Sequence, residues 1–258
     1  MTSRLAYIAF NTFREAVRDR VLYNLIFFAL LMAASSILVG QISINVERQV
    51  VINLGLTAVS LFGLAIAIFI GIGLVAKEID KKTLYTLLSR PVRRWEFIVG
   101  KFAGLSLTLV VNTALMAVGV LGALFYVTRA FTWSDTYVLI AIYFIILQFI
   151  VVTAITLLFS SFSSPILSAV FALAMFVIGT FAEDLRAFAL LARPPARWLA
   201  IGMAHLVPNF AALNVITPVA HGEPVAASLV LFNTVYALLY SVVAVSTAVI
   251  IFEYRDLK

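Results

Sequence analysis

What most constrains this chain is where its charge is missing. Between charged residues the sequence runs uncharged and largely apolar over 21–46, 49–76, 102–128, 136–182 and 224–252. Each run exceeds the roughly 18 residues at which an apolar stretch becomes a candidate membrane-spanning helix. A water-soluble core has no room for so much apolar surface. The 258 residues are 64% hydrophobic and 12% charged, whereas a soluble domain is about half apolar and about a quarter charged. The bilayer is the solvent such a chain requires, and in hydrocarbon a backbone must satisfy its own N–H and C=O groups, which a helix does. The expected fold is all-α and integral to the membrane, one domain over 1–258.

The run 136–182 is too long for one span. It contains Ser160-Ser161-Phe162-Ser163-Ser164-Pro165, and a proline lacks a backbone donor and disfavours helix in the residue before it. A break there gives spans near 137–159 and 166–182, and six spans in all. The short loops 47–48 and 129–135 then share one side with 183–223. Thirteen of the eighteen basic residues fall on the other side, among them Arg4, Arg14, Arg18, Arg20, Lys77, Lys81, Lys82, Arg90, Arg93, Arg94, Lys101, Arg255 and Lys258. The positive-inside rule makes that side, with both termini, cytoplasmic, as in a multi-pass protein of the plasma (bacterial inner) membrane. The net charge of +6 is therefore a topology signal, and no nucleic-acid partner is expected. No cleaved signal peptide is expected either, because charges of both signs precede the first apolar run and no soluble domain follows it. With no cysteine in the chain, disulfides, thiolate metal sites and a cysteine nucleophile are excluded.

Two segments on the basic side are amphipathic. In 1–20, Leu5, Ile8, Ala9, Thr12, Phe13, Ala16 and Val17 recur at spacings of three and four, while Arg4, Asn11, Arg14, Glu15 and Arg18 lie off that stripe. Such a helix is expected to rest in the membrane interface with its arginines near anionic lipid heads. Between the second and third spans, Ile79, Thr83, Leu84, Leu87 and Leu88 share one helical face and Asp80, Lys81 and Lys82 another, up to a stop near Ser89 set by Pro91. The expectation is a short amphipathic helix, a turn, and re-entry at Trp95. A loop with an apolar face must bury it on lipid or on a partner, and a partner surface follows as the expectation.

These residues carry a resemblance. Glu78-Ile79-Asp80-Lys81-Lys82-Thr83-Leu84, followed by Leu87-Leu88-Ser89-Arg90-Pro91-Val92-Arg93-Arg94 and Gly100-Lys101, is similar to the signature between the second and third spans of the type-2 permeases of ABC transporters. The likeness is strongest to the branch associated with maturation of multicopper enzymes. Weaker matches are 12–20, 160–165 and 252–257. The resemblance implies an ABC-2 exporter-like fold, with an N-terminal interfacial elbow helix at 1–20 that includes Arg14, Glu15, Arg18 and Arg20, plus six transmembrane helices. It also implies that 78–89, within the cytoplasmic loop 77–101, is a coupling helix docking into a separate ABC ATPase subunit, with Glu78, Asp80, Lys81, Lys82, Thr83, Leu84, Leu87, Leu88 and Arg90 at the contact. Two permease chains, as a homodimer, and two ATPase chains would form the exporter. ATP and Mg would sit on the ATPase, with no cofactor bound by this chain.

The chemistry missing from the sequence agrees. Gly100-Lys101 is followed by Phe102, and Trp95 stands where a phosphate-binding loop needs its first glycine. None of the predicted spans contains a charged residue of the kind that ion-driven carriers place at membrane depth. No hydrolase elbow, zinc-protease motif or intramembrane aspartate pair is present either, so no enzyme activity is expected. The polar side chains at depth are Asn24, Asn53, Asn112 and Gln148, of which Asn53, Asn112 and Gln148 are candidates for a substrate path and all can equally bond neighbouring helices. His205, His221 and nearby Met203 are too loosely spaced to define a metal site, so no metal is expected. The outer-face segment 183–226 is too apolar for a free loop and too interrupted for a span; short helices at the outer interface, a cap or a gate, are expected. Two other readings stay open: a stand-alone ion-gradient-driven carrier or channel, and a membrane scaffold or assembly subunit.

Overall fold

The computed structural model describes residues 2–17, 27–28, 31–32, 34–35, 38, 46–80, 93–130, 132–191, 197–198, 201–202 and 206–254. Regular structure among them is helical: α1 Thr2–Ala16, α2 Glu47–Asp80, α3 Arg94–Thr128, a 3-10 turn at Trp133–Asp135, α4 Thr136–Ser160, α5 Pro165–Thr180, α6 Ala182–Leu191, α7 Ile216–Ala220 and α8 Ala227–Tyr254. Four of these helices, α2, α3, α4 and α8, are long and apolar enough to cross a membrane, and α5 with α6, bent by 61°, forms a fifth, broken unit. Most of the first apolar run lies outside the described residues. Its Phe28 and Met32 are nevertheless in the core, with Phe28 edge-on to Phe62 at 6.1 Å.

α4 is the central element, because 72% of its most apolar stretch is buried against 33% for α8. Small residues let the other helices approach it. A Cβ built on Gly63 of α2 would lie 2.1 Å from Phe149 Cζ, and one on Gly71 would lie 2.9 Å from the Thr156 methyl, close approaches typical of membrane helix packing. The outward faces of α3, α5 and α8 carry Leu115 and Val118, Ile166 and Val170, and Phe232, Val242 and Val243, as hydrocarbon-facing helices should.

The expected serine-rich break is present between α4 and α5. Pro165 starts α5, where its missing N–H costs nothing. Ser160 and Ser161 hydroxyls donate to Leu157 O and Leu158 O, and Ser163 to Phe159 O, adding to the backbone bonds that these carbonyls already accept in the turn.

The elements sort their loops to two ends. The basic end holds α1, the start of α3 and the last turn of α8. Here Arg94 Nη1 donates to Phe252 O at 3.4 Å and Glu253 O at 2.9 Å, placing a cation on the carbonyl terminus of α8. The stripe predicted on 1–20 packs on α3 and not on lipid. A Cβ at Gly100 would meet Ile8 at 2.7 Å, one at Gly104 would meet Ala9 O at 2.5 Å, and Thr12 and Ala16 are buried. Tyr7, Phe10, Arg14 and Glu15 are on the exposed side.

One boundary differs from expectation. Helix α2 runs unbroken through Lys77-Glu78-Ile79-Asp80, so the first three residues of the helix expected over 78–89 continue α2, and the rest of it lies outside the described residues. Nothing in 49–80 breaks a helix, and Pro91 is eleven residues further on. α3 begins at Arg94, one residue before the expected re-entry at Trp95, and Glu96 caps it by accepting the Arg93 amide at 3.1 Å.

At the far end the segment 206–226 is a folded cap. The Phe210 amide donates to Gly179 O at 3.0 Å, the Asn209 amide to Tyr236 OH at 2.8 Å, and Asn233 Nδ2 to Ala212 O at 2.7 Å. Short helices α6 and α7 are as expected for this segment. Its tight stitching to α5 and α8 is what the sequence did not specify.

Candidate functional site

Among the described membrane-spanning helices, α2 carries a polar row on an exposed face. On α2, Gln49, Asn53 and Thr57 recur every fourth residue and so stand in a row; all three are exposed, and Leu61 continues the row. Thr57 Oγ1 donates to Asn53 Oδ1 at 3.3 Å, leaving the Asn53 amide donors for another group. Beside the row lies a cavity of about 660 Å³, walled by Gln49, Val50, Asn53, Leu54, Thr57, Ala58, Leu61 and Phe62 of α2, by Leu31 of the first run, and by Ala220 and His221 at the end of α7. Hydrogen-bonding side chains facing outward at membrane depth need water, cargo or a protein partner, since hydrocarbon offers them nothing.

His221 enters this wall from more than 150 residues away in sequence. Its Nδ1 bonds Thr217 O at 2.8 Å. A carbonyl oxygen can only accept, so Nδ1 is the donor in this bond and Nε2 lies outside it. Gly222, with φ +78°, makes the turn after α7, a conformation that suits glycine.

The charge nearest the mouth is neutralised. Arg48 Nε donates to Asp135 Oδ1 at 3.0 Å and Nη2 to Ser134 Oγ at 2.8 Å. Asp135 Oδ2 accepts the Thr132 amide at 2.6 Å and the Thr132 hydroxyl at 3.0 Å. This network fastens the start of α2 to the start of α4, and a Cβ on Gly222 would lie 3.7 Å from Arg48 Nη1, so the α7 turn closes over it. Arg48, Asp135 and His221 thus share the far end, the grouping of 47–48, 129–135 and 183–223 that charge counting predicted.

Of the three substrate-path candidates, only Asn53 lines the cavity. Gln148 is buried and its Nε2 donates to Ser60 Oγ at 3.3 Å, tying α4 to α2. Asn112 is 2% exposed, on the α3 stripe of Leu109, Met116 and Val120, and neither its Oδ1 nor its Nδ2 has a partner among the described residues. Glu78 and Asp80 are in the last turn of α2, whereas Lys81, Lys82, Thr83, Leu84, Leu87, Leu88 and Arg90 lie outside the described residues, as do Arg18, Arg20, Asn24, Met203 and His205. Among the described residues no three His, Asp or Glu side chains cluster as metal ligands would.

Sequence reading missed two charges inside a helix. Glu96 and Lys101 are 3% and 2% exposed, and Lys101 Nζ lies 4.9 Å from the Phe97 ring centroid. Once α3 is known to start at Arg94, the four-residue spacing of Phe97, Lys101 and Leu105 places Lys101 on a packed face. The polar row of α2 had a signal too, its own four-residue spacing.

The family model described as ABC-2 family transporter protein matches residues 6–257. The chain belongs to this family. No curated protein matches it. ABC-2 permeases are membrane components of ABC transporters and not catalysts, and they generally work with an ABC ATPase. This ABC-2 permease is accordingly a multi-pass membrane subunit, with a helical bundle and a largely apolar cavity, edged by a polar row, beside one of its helices.

Proposed function

We propose that this ABC-2 permease is the membrane half of an ATP-driven exporter, pairing with a second copy along α2 and coupled to separate ATPase chains at the basic end, which is cytoplasmic with both termini. The observation that carries the reading is the continuity of α2. Its 34 residues rise about 50 Å as one helix, from the polar row at one end to Lys77–Asp80 at the other. The segment that would seat in an ATPase is continuous with α2 at Glu78–Asp80, so a displacement there tilts the wall of the cavity without an intervening hinge. α1 serves as the interfacial elbow, its exposed Tyr7, Phe10 and Arg14 meeting lipid heads while its inner stripe grips α3. Residues 78–101 align the chain, within its family, with the branch associated with multicopper-enzyme maturation.

The buried Lys101 favours a second reading, a carrier driven by an ion gradient, because such carriers use ionisable groups within helices. It sits in the second turn of α3 at the basic end, far from the cavity. Transport by the purified chain without an ATPase would decide for that reading.

The test replaces Leu84 and Leu87 together by Asp. The variant should insert and elute as the parent does but lose the ATPase, carrying a phosphate-binding loop, that copurifies from native membranes. Undiminished ATPase recovery would overturn the coupling assignment.

A further inference from the structure

The cavity beside α2 changes character along its length. Gln49, Asn53 and His221 line it at the far end of α2, its mouth, beside Val50 and Ala220, and Leu61 and Phe62 line it further along the helix, its floor. From Gln49 to Leu61 the helix rises about 18 Å, so hydrogen-bonding groups stand near the membrane surface and hydrocarbon lies towards its middle. An amphiphile with its head outward has the same profile.

The wall suits an uncharged head. No Asp, Glu, Lys or Arg lines it, and the adjacent Arg48 is committed to Asp135 and Ser134. A charged head would lose its hydration here without gaining a counter-ion. What the mouth does offer is hydrogen bonding: amide donors from Asn53, both senses from Gln49, and the second ring nitrogen of His221. These suit hydroxyl or amide groups. The volume of about 660 Å³ falls within the roughly 300–1,000 Å³ of small-molecule sites.

We infer that the cavity takes a neutral-headed amphiphile, its hydroxyl- or amide-bearing head between His221 and Asn53 and its hydrocarbon tail against Leu61 and Phe62, and that this is the class of cargo. The inference rests on the reading of the chain as a permease whose path runs along α2.

A dodecyl maltoside carrying a photoreactive diazirine at the tail tip is the probe, applied to the full chain in phosphatidylcholine nanodiscs with cross-links mapped by mass spectrometry. Labelling should concentrate at Leu61 and Phe62 and be displaced by unlabelled dodecyl maltoside. Dodecyl sulfate and dodecyltrimethylammonium, with the same tail and charged heads, should displace it poorly. Asn53→Leu with Thr57→Val should lower labelling about tenfold, the effect of removing one or two hydrogen-bonding groups. Leu61→Trp, which fills the floor and leaves the polar row intact, should abolish it. Equal displacement by the charged detergents overturns the inference, as does labelling spread over the lipid faces of α5 and α8 and unchanged in both variants. Recovery of the ATPase from membranes of the same cells separates the two levels: if it is retained while labelling is spread, the site assignment alone fails; if it is absent while labelling stays focused, the permease reading fails and the site stands.

Discussion

At the level of single residues, the bundle tolerates little change where backbones meet rings. Gly63→Ala would drive a Cβ to within 2.1 Å of the Phe149 ring tip, and Phe149 is fully buried on the central helix. The ring can yield only by moving other core side chains, so a loss of about 1–3 kcal/mol is expected, read as a lower unfolding midpoint in detergent. Asn112 predicts the opposite sign. Both its amide atoms are buried without partners among the described residues, and a stranded group costs about 1–3 kcal/mol. Asn112→Leu should therefore raise the unfolding midpoint of this conformation; a lower midpoint would show that the amide has a partner in solution. Arg48→Leu leaves Asp135 with its Thr132 bonds but no cation. A loss of about 1–3 kcal/mol is expected, and Asp135→Asn in the same chain should return part of it, which a double-mutant cycle measures.

At the basic end, elements meet at the start of α3, whose first turns touch α1 through Gly100 and Gly104 and α8 through Arg94 and the Phe97–Phe252 stack at 6.0 Å. Arg94→Gln removes the cation from the end of α8. Faster amide exchange at Phe252–Tyr254 is expected, with the middle of α8 unchanged, because cap effects decay within a turn. Unaltered exchange at those three amides would mean that α8 ends independently of α3. Much of this level was legible in the sequence. The spans follow from uncharged runs, and the α4–α5 break from Pro165 and its serines, since a helix former cannot continue through a missing donor. The extent of α2 was not legible. Lys77-Glu78-Ile79-Asp80 is polar enough to look like a loop, yet polarity does not end a helix; only a breaker or a lost packing partner does.

For the whole molecule, the polar row of α2 should face another copy of the chain, because it is the outward face least suited to lipid. The chain has no cysteine, so Leu54→Cys, beside Asn53 on this face, gives a clean reporter. Oxidant should cross-link it into dimers in membranes, while Val242→Cys on the outward face of α8 should stay monomeric. Equal cross-linking at both positions would place the contact elsewhere. ATP binding by the partner should then change the Leu54→Cys yield, since α2 connects the two ends.

By itself the sequence determined that this is a helical membrane protein, how its loops divide between two sides, where its fourth apolar run breaks, and that it lacks a phosphate-binding loop. Each of these follows from local composition or charge, which act over one helix length. Only the tertiary structure decided that the α1 stripe meets α3, that Gln148 and Asn112 are interior while Asn53 is not, and that His221 joins Gln49 and Asn53 around one cavity. Those outcomes depend on which helix faces are turned toward each other. A period of three or four residues shows that a face must be covered, whereas its partner is set by packing between segments far apart in the chain.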